Sequence, residues 1–316
     1  MISVIIPTHN RAQLLKKTLW SITKQTLPDD GFEVLVIDNG STDDTFHIVT
    51  EYYSLLKNLK YFYEPTPGLH SGRHRGLKES LGEILTFADD DIDAFPTWLE
   101  SIHTSFLNKK IALVGGKNIP QYESHPPGWL EELWVFVKEG KYMPDLSLLD
   151  FGEEVKEVNP YFIFGCNFSI RKDVLIQIKG FHPDGMPQTL IRFRGDGETY
   201  VAEQVKKLGY SSLYHPKASI YHLVPSSRMS VEYLERRAFN EGISGSYREA
   251  RREFLEKKKI RLITKIKRWI IIFFLVGLKR KLKHSYRKGY LFHQKELKRD
   301  KHLMEWVLKD SYLNHV

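Results

Sequence analysis

Over the first 120 residues, short apolar runs alternate with longer stretches whose apolar positions recur at helical spacing. Ser3–Pro7 is the first run. Arg11–Gln25 follows with Leu14, Leu15, Thr18, Leu19 and Ile22 on one helical face. Val34–Asp38 predicts a second strand. Asp43–Lys57 predicts a helix, with Ser41 as its N-cap and Asp43 and Asp44 in its first turn. Strands at Leu59–Glu64, Glu83–Asp89 and Ile111–Lys117 then alternate with helices at Ser71–Leu81 and Pro96–Leu107. This rhythm predicts βαβ units and a mostly parallel sheet, in which ligands bind beyond the carboxyl ends of the strands. Asp38 and Asp89 lie at such ends.

Residues 120–160 lose the rhythm. Pro120, Pro126, Pro127, Gly128 and Pro144 predict a long irregular loop region flanking a site. Tyr161–Ile170, helices at Lys172–Lys179 and near Gly197–Leu208, and short strands around Leu213–Tyr214 and Ser219–His222 follow. From Val231 the chain reads as helical and increasingly basic.

Composition changes the picture in two places. The chain has 316 residues, 41% of them apolar, and a single cysteine, Cys166, so no internal disulfide forms. The net charge of +8 is unevenly placed. Residues 257–301 hold 17 Lys/Arg against 2 Asp/Glu, a balance of +15, which leaves −7 for the rest. Within this segment Trp269–Leu278 is apolar and flanked by Lys/Arg. Ten residues make a helix of about 15 Å, half a bilayer core, so it predicts either a buried helix or interfacial docking on an anionic leaflet. The N-terminus shows no basic region or cleavage site of a signal peptide. A cytoplasmic location is expected, with peripheral docking at the inner face of the membrane as an open reading.

Four constellations carry candidate chemistry. Pro7-Thr8-His9-Asn10-Arg11 follows the first strand, where polar and basic groups can meet a base or a phosphate; a plain turn and helix start is the alternative. At Asp38-Asn39-Gly40-Ser41 a carboxylate ends a strand and can accept from a base or sugar, or simply form an Asx turn. Asp89-Asp90-Asp91, with Asp93, ends the apolar run Leu85-Thr86-Phe87-Ala88, and no Lys or Arg follows for ten residues. Such repulsion calls for a compensating cation from outside the chain, and Mg²⁺ or Mn²⁺ takes one or two carboxylates when phosphates supply the rest. In Arg194-Gly195-Asp196-Gly197-Glu198, Asp196 fits an N-cap and Glu198 a first helical turn; either also fits a general base.

In order and spacing, VIIPTHNRAQLLKKTLWSITKQT, VLVIDNGSTDDT, PGLHSGRHRGL, ILTFADDDIDAFPTWLE, GCNFSIRKDVLIQIKGF and RGDGETYVAEQVKKLGY resemble glycosyltransferase family 2 across residues 1–245. The resemblance implies a GT-A fold, a Rossmann-like α/β sheet flanked by helices, with a nucleotide-binding half at 1–118, an acceptor-binding half at 119–245 and a basic helical extension at 246–316. It implies inverting transfer from a nucleotide-sugar, a UDP-sugar above others, to a glycan or lipid-linked acceptor, as in surface-polysaccharide or glycolipid synthesis. By position, Pro7, Thr8, Asn10, Arg11 and Asp38 would hold the nucleoside, Arg73 the diphosphate, and Asp89 and Asp90 the ribose and sugar. Asp91, with Asp89 and His222, would bind Mn²⁺ or Mg²⁺; a core or surface role for His222 is the alternative. Gly165, Cys166 and Asn167 would line the sugar and acceptor pocket. Glu198 would be the base, with Asp196 its competitor. The usual Ala-Arg-Asn reads Gly72-Arg73-His74 here, which leaves the role of His74 open. No P-loop and no Gly-x-Gly-x-x-Gly after a strand supports an ATPase or dehydrogenase. A nucleotidyltransferase would show a Gly-rich loop after strand one. Nucleic-acid binding by the basic segment would leave the acidic loop unexplained, so no nucleic-acid partner is expected.

Overall fold

All seven residues of β1 (Ile2–Thr8) are buried, and all seven of β2 (Phe32–Asp38). A strand covered on both faces needs no polar alternation, which is why both read as unbroken apolar runs. In the computed structural model, which describes residues 1–255, 257 and 275–313, Ile2, Val4 and Ile6 face one core layer and Ile5 the other. The first layer lies under α1 (Ala12–Ile22), α2 (Thr45–Glu51) and α4 (Trp98–Ser105). The second lies under α3 (Leu69–Glu79), α5 (Lys172–Gln177) and α6 (Gly197–Lys207).

β1 pairs in parallel with β2 on one side and β4 (Ile84–Ala88) on the other, and β3 (Leu59–Tyr63) continues beyond β2. The chain thus winds outward to β3 and returns past β1, so the loops after β1 and β4 diverge and leave a crevice between them. Beyond β4 come β12 (Asn167–Arg171), β6 (Ile111–Gly115), β13 (Ser211–Tyr214) and β11 (Lys156–Glu157). β12 runs antiparallel to both its neighbours, as does β11 to β13. In this eight-stranded sheet four of the seven pairs are parallel.

Residues 120–160 are more regular than their composition predicts. They contribute to a second sheet of order β5-β14-β7-β10-β9-β8, built from β5 (Ile92–Ala94), β7 (Asn118–Tyr122), β8 (Val135–Val137), β9 (Gly140–Met143), β10 (Leu148–Asp150) and β14 (Ile220–Val224). Strands of three to five residues broken by proline and glycine are too short to show a period. β5, which includes Asp93, lies between the acidic loop and the next helix, and α4 starts at Trp98 rather than Pro96. The helix expected over Asp43–Lys57 is only Thr45–Glu51. Its start is set not by Ser41 but by Asp43, whose carboxylate accepts from the Thr45 N–H and hydroxyl and from Ala12 N–H of α1.

At the C-terminus, α7 (Val231–Phe254) runs through residue 245 without a break and packs against α8 (Gly277–Arg299). α9 (Lys301–Val307) follows, and Leu303, Val307 and Tyr312 bury Tyr247. Most of the apolar segment Trp269–Leu278 lies outside the described residues. Its last residue, Leu278, packs with Leu282 against the cluster around Leu130 and Leu234. Among the described residues, no helix is long and apolar enough to cross a membrane.

Candidate functional site

The carboxylates after β4 receive positive charge from distant parts of the chain. Arg11, at the start of α1, ion-pairs with Asp90 through one guanidinium nitrogen and with Asp91 Oδ2 at 2.6 Å through the other. Arg228, beyond β14, reaches Asp91 Oδ2 at 3.0 Å. The expectation that only an external cation could compensate this loop is therefore corrected: two arginines share the task. Thr8 donates to Asp90 Oδ2 at 2.7 Å. Burial and the neighbouring carboxylates still push Asp90 up to about 7, against Arg11 and Thr8. Burial, then Asp91, raises Asp89 as well. Burial would raise Asp91 too, but His222, Arg11 and Arg228 outweigh it and hold Asp91 well below the usual carboxylate range.

His222, on β14, turns Nδ1 to the Leu146 carbonyl at 3.0 Å. If Nδ1 carries the proton of a neutral ring, Nε2 presents a lone pair, and it lies 3.3 Å from Asp91 Oδ1. Among the described residues, neither Nε2 nor Oδ1 makes a hydrogen bond, although both are fully buried. Two facing acceptors repel unless something positive stands between them, either a proton on the ring or a cation. Asp89 completes the group: one ligand atom from each of Asp89, Asp91 and His222 lies within 4.8 Å of the others. Two carboxylates and an imidazole oriented by a carbonyl fit a divalent cation such as Mn²⁺.

The second centre lies at the start of α6. Arg73, buried on α3, faces Asp184 Oδ2 at 3.2 Å and Glu198 Oε2 at 3.4 Å, and its other nitrogen approaches the Gly165 carbonyl. Burial and the charge of Glu198 raise Asp184 to about 7 despite Arg73. Glu198 moves the other way: burial opposes ionisation, but Arg73, a backbone N–H and the Asp184 carboxyl more than offset it. Of the two, Asp184 thus holds a proton more readily and Glu198 ionises more readily. Two glycines make room for this cluster. A Cβ on Gly165 would come within 2.5 Å of Arg73 Nη2 and 2.7 Å of Glu198 Oε1. Gly197 combines φ +49° with a site where a Cβ would strike Asp184.

Three clefts join the two centres. One of about 540 Å³ is lined by Pro7, Thr8, Arg11, Asn39, Asp90 and Arg228. It meets a second, of about 210 Å³, at Leu69, Asp89 and Gly185; the second holds Arg73, Gly165, Cys166, Asp184 and Glu198. That one shares Glu198, Thr199, Arg237 and Arg248 with a third of about 590 Å³.

Several expected site residues are engaged elsewhere. Asp38 is buried, accepting from Ser41 N–H at 2.7 Å and Tyr61 hydroxyl at 2.6 Å, so it forms the Asx turn, and Asn39 lines the cleft in its place. Asn10 (φ +53°) accepts from Thr42 N–H at 2.7 Å and ties two loops together. Asn167 is a core strut, accepting from Trp98 Nε1 and donating to the Ala218 carbonyl. Cys166 is a buried thiol raised by its burial. His74 Nε2 accepts from Phe181 N–H, and burial lowers it to about 3. Asp196 occupies the N-cap position of α6 without capping it. Its Oδ1 instead meets His182 Nδ1 at 2.7 Å in a pocket with Tyr200, Tyr247 and Tyr312. Asp184, Arg228 and the arginines of α7 were not anticipated. Pro183-Asp184-Gly185 reads as an ordinary turn, and Arg228 has no local signal.

The crevice between the loops after β1 and β4, with acids at its floor, thus runs on to a carboxylate at the start of a later helix. The glycosyl transferase family 2 model matches residues 3–179, more than half of the chain. The chain belongs to glycosyltransferase family 2. Among this glycosyltransferase's relatives, AglE of Haloferax volcanii is 38% identical over 116 residues, 36% of this chain and 38% of AglE. The glucosyl-dolichyl phosphate glucuronosyltransferase of the same organism is 22% identical over 252 residues, 77% of this chain and 75% of its own. The chain thus spans little more than a third of AglE. Among solved structures, mannosyltransferase PcManGT from Pyrobaculum calidifontis, in complex with GDP-Man and Mn²⁺, superposes with a TM-score of 0.57 at 19% identity. That match covers 99% of this chain and 84% of the other. It places the glycosyltransferase in the GT-A fold.

Proposed function

We propose that this glycosyltransferase moves a sugar, with inversion, from a nucleotide-sugar to an acceptor hydroxyl, with Asp89, Asp91 and His222 holding Mn²⁺ or Mg²⁺ and Glu198 as general base. The observation that carries the reading is the serial arrangement of the clefts, from Thr8 and Arg11 past Asp89 to Glu198. The nucleoside occupies the first, the transferred sugar the second, and the acceptor enters through the third. A bound divalent cation would neutralise charge on the leaving nucleoside diphosphate.

The chain's own groups supply the rest. Arg73 and the Asp184 carboxyl keep Glu198 ionised, so it can accept the proton of the attacking hydroxyl. General-base help is worth about 10²–10⁴ in rate. A depressed pKa makes Glu198 a weaker base, and positioning in the narrow second cleft compensates. Asp196 is the poorer candidate because His182 already holds its carboxylate.

UDP-sugars are the first choice of donor, and GDP-sugars the second, since PcManGT is in complex with GDP-Man. A thermal-shift and hydrolysis screen of nucleotide-sugars, with and without Mn²⁺, tests the reading; no Mn²⁺-dependent response to any of them would overturn it. The acceptor is a glycan or lipid-linked sugar. The charge of residues 257–301 supports docking on an anionic membrane surface. Sedimentation of the full chain with anionic vesicles at low and high salt tests this, and salt-independent binding or none would count against it.

A further inference from the structure

Along α7, Arg237, Glu241, Ser244, Arg248 and Arg252 follow one another at spacings of four, three, four and four, so they share one helical face. Ser244 fixes that face to the site by donating to the Gly195 carbonyl at 2.6 Å. The four charged residues line the outer cleft beside Glu198. Their charges are only partly matched. Arg252 faces Glu203 at 3.4 Å, and Glu241 is taken by Arg194 at 3.5 Å. Arg237 donates to the Pro144 carbonyl at 3.2 Å; Glu241, Asp145 and Glu198 surround it without reaching ion-pair distance among the described residues. Arg248 borders both the second and the third cleft, is half-buried, and makes no hydrogen bond or ion pair among the described residues.

A guanidinium withdrawn from water without a counter-charge is costly. The cleft also holds Asp145, Glu198, Glu203 and Glu241, so among the described residues the guanidinium without a partner is that of Arg248; set beside Arg237, it presents a forked donor that suits the oxygens of a phosphate. We propose that the acceptor carries a phosphate group, seated on Arg248 and Arg237, which holds its attacking hydroxyl at Glu198. This rests on reading the third cleft as the acceptor entrance. The phosphate's source is either a soluble sugar phosphate or a lipid-borne one, and the guanidiniums would recognise both alike.

The test titrates the full-length protein by calorimetry with glucose 1-phosphate, with dodecyl phosphate micelles, and with uncharged octyl glucoside. Each titration is run alone and with Mn²⁺ and the nucleoside diphosphate found in the donor screen. Wild type should bind at least one phosphate probe about tenfold or more tightly than octyl glucoside. Arg248→Gln should lose at least tenfold of that affinity, with Arg248→Lys in between, while nucleoside diphosphate affinity stays equal in all three. Saturation by glucose 1-phosphate assigns a soluble source, and saturation by the micelles alone a lipid-borne one. Equal binding of charged and uncharged probes, or an Arg248→Gln variant that binds phosphate like wild type, overturns the proposal. Failure of every nucleoside diphosphate to bind wild type counts instead against the donor reading, and the probe-only titrations then decide the phosphate site.

Discussion

Asp184 and Glu198 meet on one guanidinium, that of Arg73, at 3.2 and 3.4 Å, and shift in opposite directions: burial and the neighbouring charge raise Asp184 to about 7, and Arg73 with the Asp184 carboxyl holds Glu198 below its ordinary value. Arg73 favours the charged form of both, but burial and their mutual repulsion oppose a second charge, so the more deeply opposed Asp184 is the one raised. Asp184 comes from a turn after α5 and Glu198 from the first turn of α6, and only the fold brings them together.

Asp184 gives a pH dependence with a definite sign. Its folded pKa is raised, so its contribution to stability is present at low pH and is lost as pH rises from about 4 to about 7. Asp184→Asn stays neutral throughout. Its stability relative to wild type, read from melting curves, should therefore rise across that window by at most about 1.4 kcal/mol per pH unit. Parallel melting curves from pH 4 to 8 would show that Asp184 does not hold the proton.

Asp91→Ala and His222→Ala should remove or weaken Mn²⁺-dependent nucleotide binding while leaving metal-free nucleotide binding close to wild type. Loss of the imidazole should cost roughly 10-fold or more, at or above the effect of losing an outer-shell partner. Calorimetry with and without Mn²⁺ checks this. Equal metal-dependent affinity in His222→Ala would return the ring to a structural role.

Glu198→Gln should keep donor and metal binding and lose about 10²-fold or more in transfer, because the amide cannot accept the proton. Asp196→Asn should instead lower the melting temperature, since it weakens a buried pair with His182. Transfer assays and melting curves on both variants separate the roles; the opposite pattern would make Asp196 the base.

Gly165→Ala should fold and yet transfer poorly. Its methyl group would press on Arg73 Nη2 and Glu198 Oε1, both side-chain atoms, and displace the carboxylate. A displacement of about 1 Å can cost 10²-fold in rate. Near-wild-type kcat would mean that Glu198 tolerates movement.

Deleting the C-terminal segment is a poor test of its function. Leu303, Val307 and Tyr312 pack on Tyr247, and the Tyr247 hydroxyl donates to that of Tyr312 at 2.8 Å. Removing residues 257–316 should expose this cluster and lower the melting temperature by several degrees. Unchanged melting would mark the segment as independent of the catalytic core.

What the chain discloses unaided is whatever depends on neighbours in sequence. The buried strands show themselves as apolar runs, α1 and α6 by their period, and the acidic loop by three carboxylates leaving the end of a strand. The family motifs follow the same local order. Tertiary structure decided the rest. Arg11 and Arg228 neutralise Asp91 from opposite ends of the domain, so a charge that looked uncompensated was not. Asp38, Asn10 and Asn167 carry functional residue types but spend their hydrogen bonds on the scaffold. His222, a ligand candidate already by resemblance, is oriented for that role because Leu146, 76 residues away, takes its other nitrogen. Charge and hydrogen-bond capacity are written in a side chain, but whether they are free for a substrate depends on what the fold sets within about 3 Å of it.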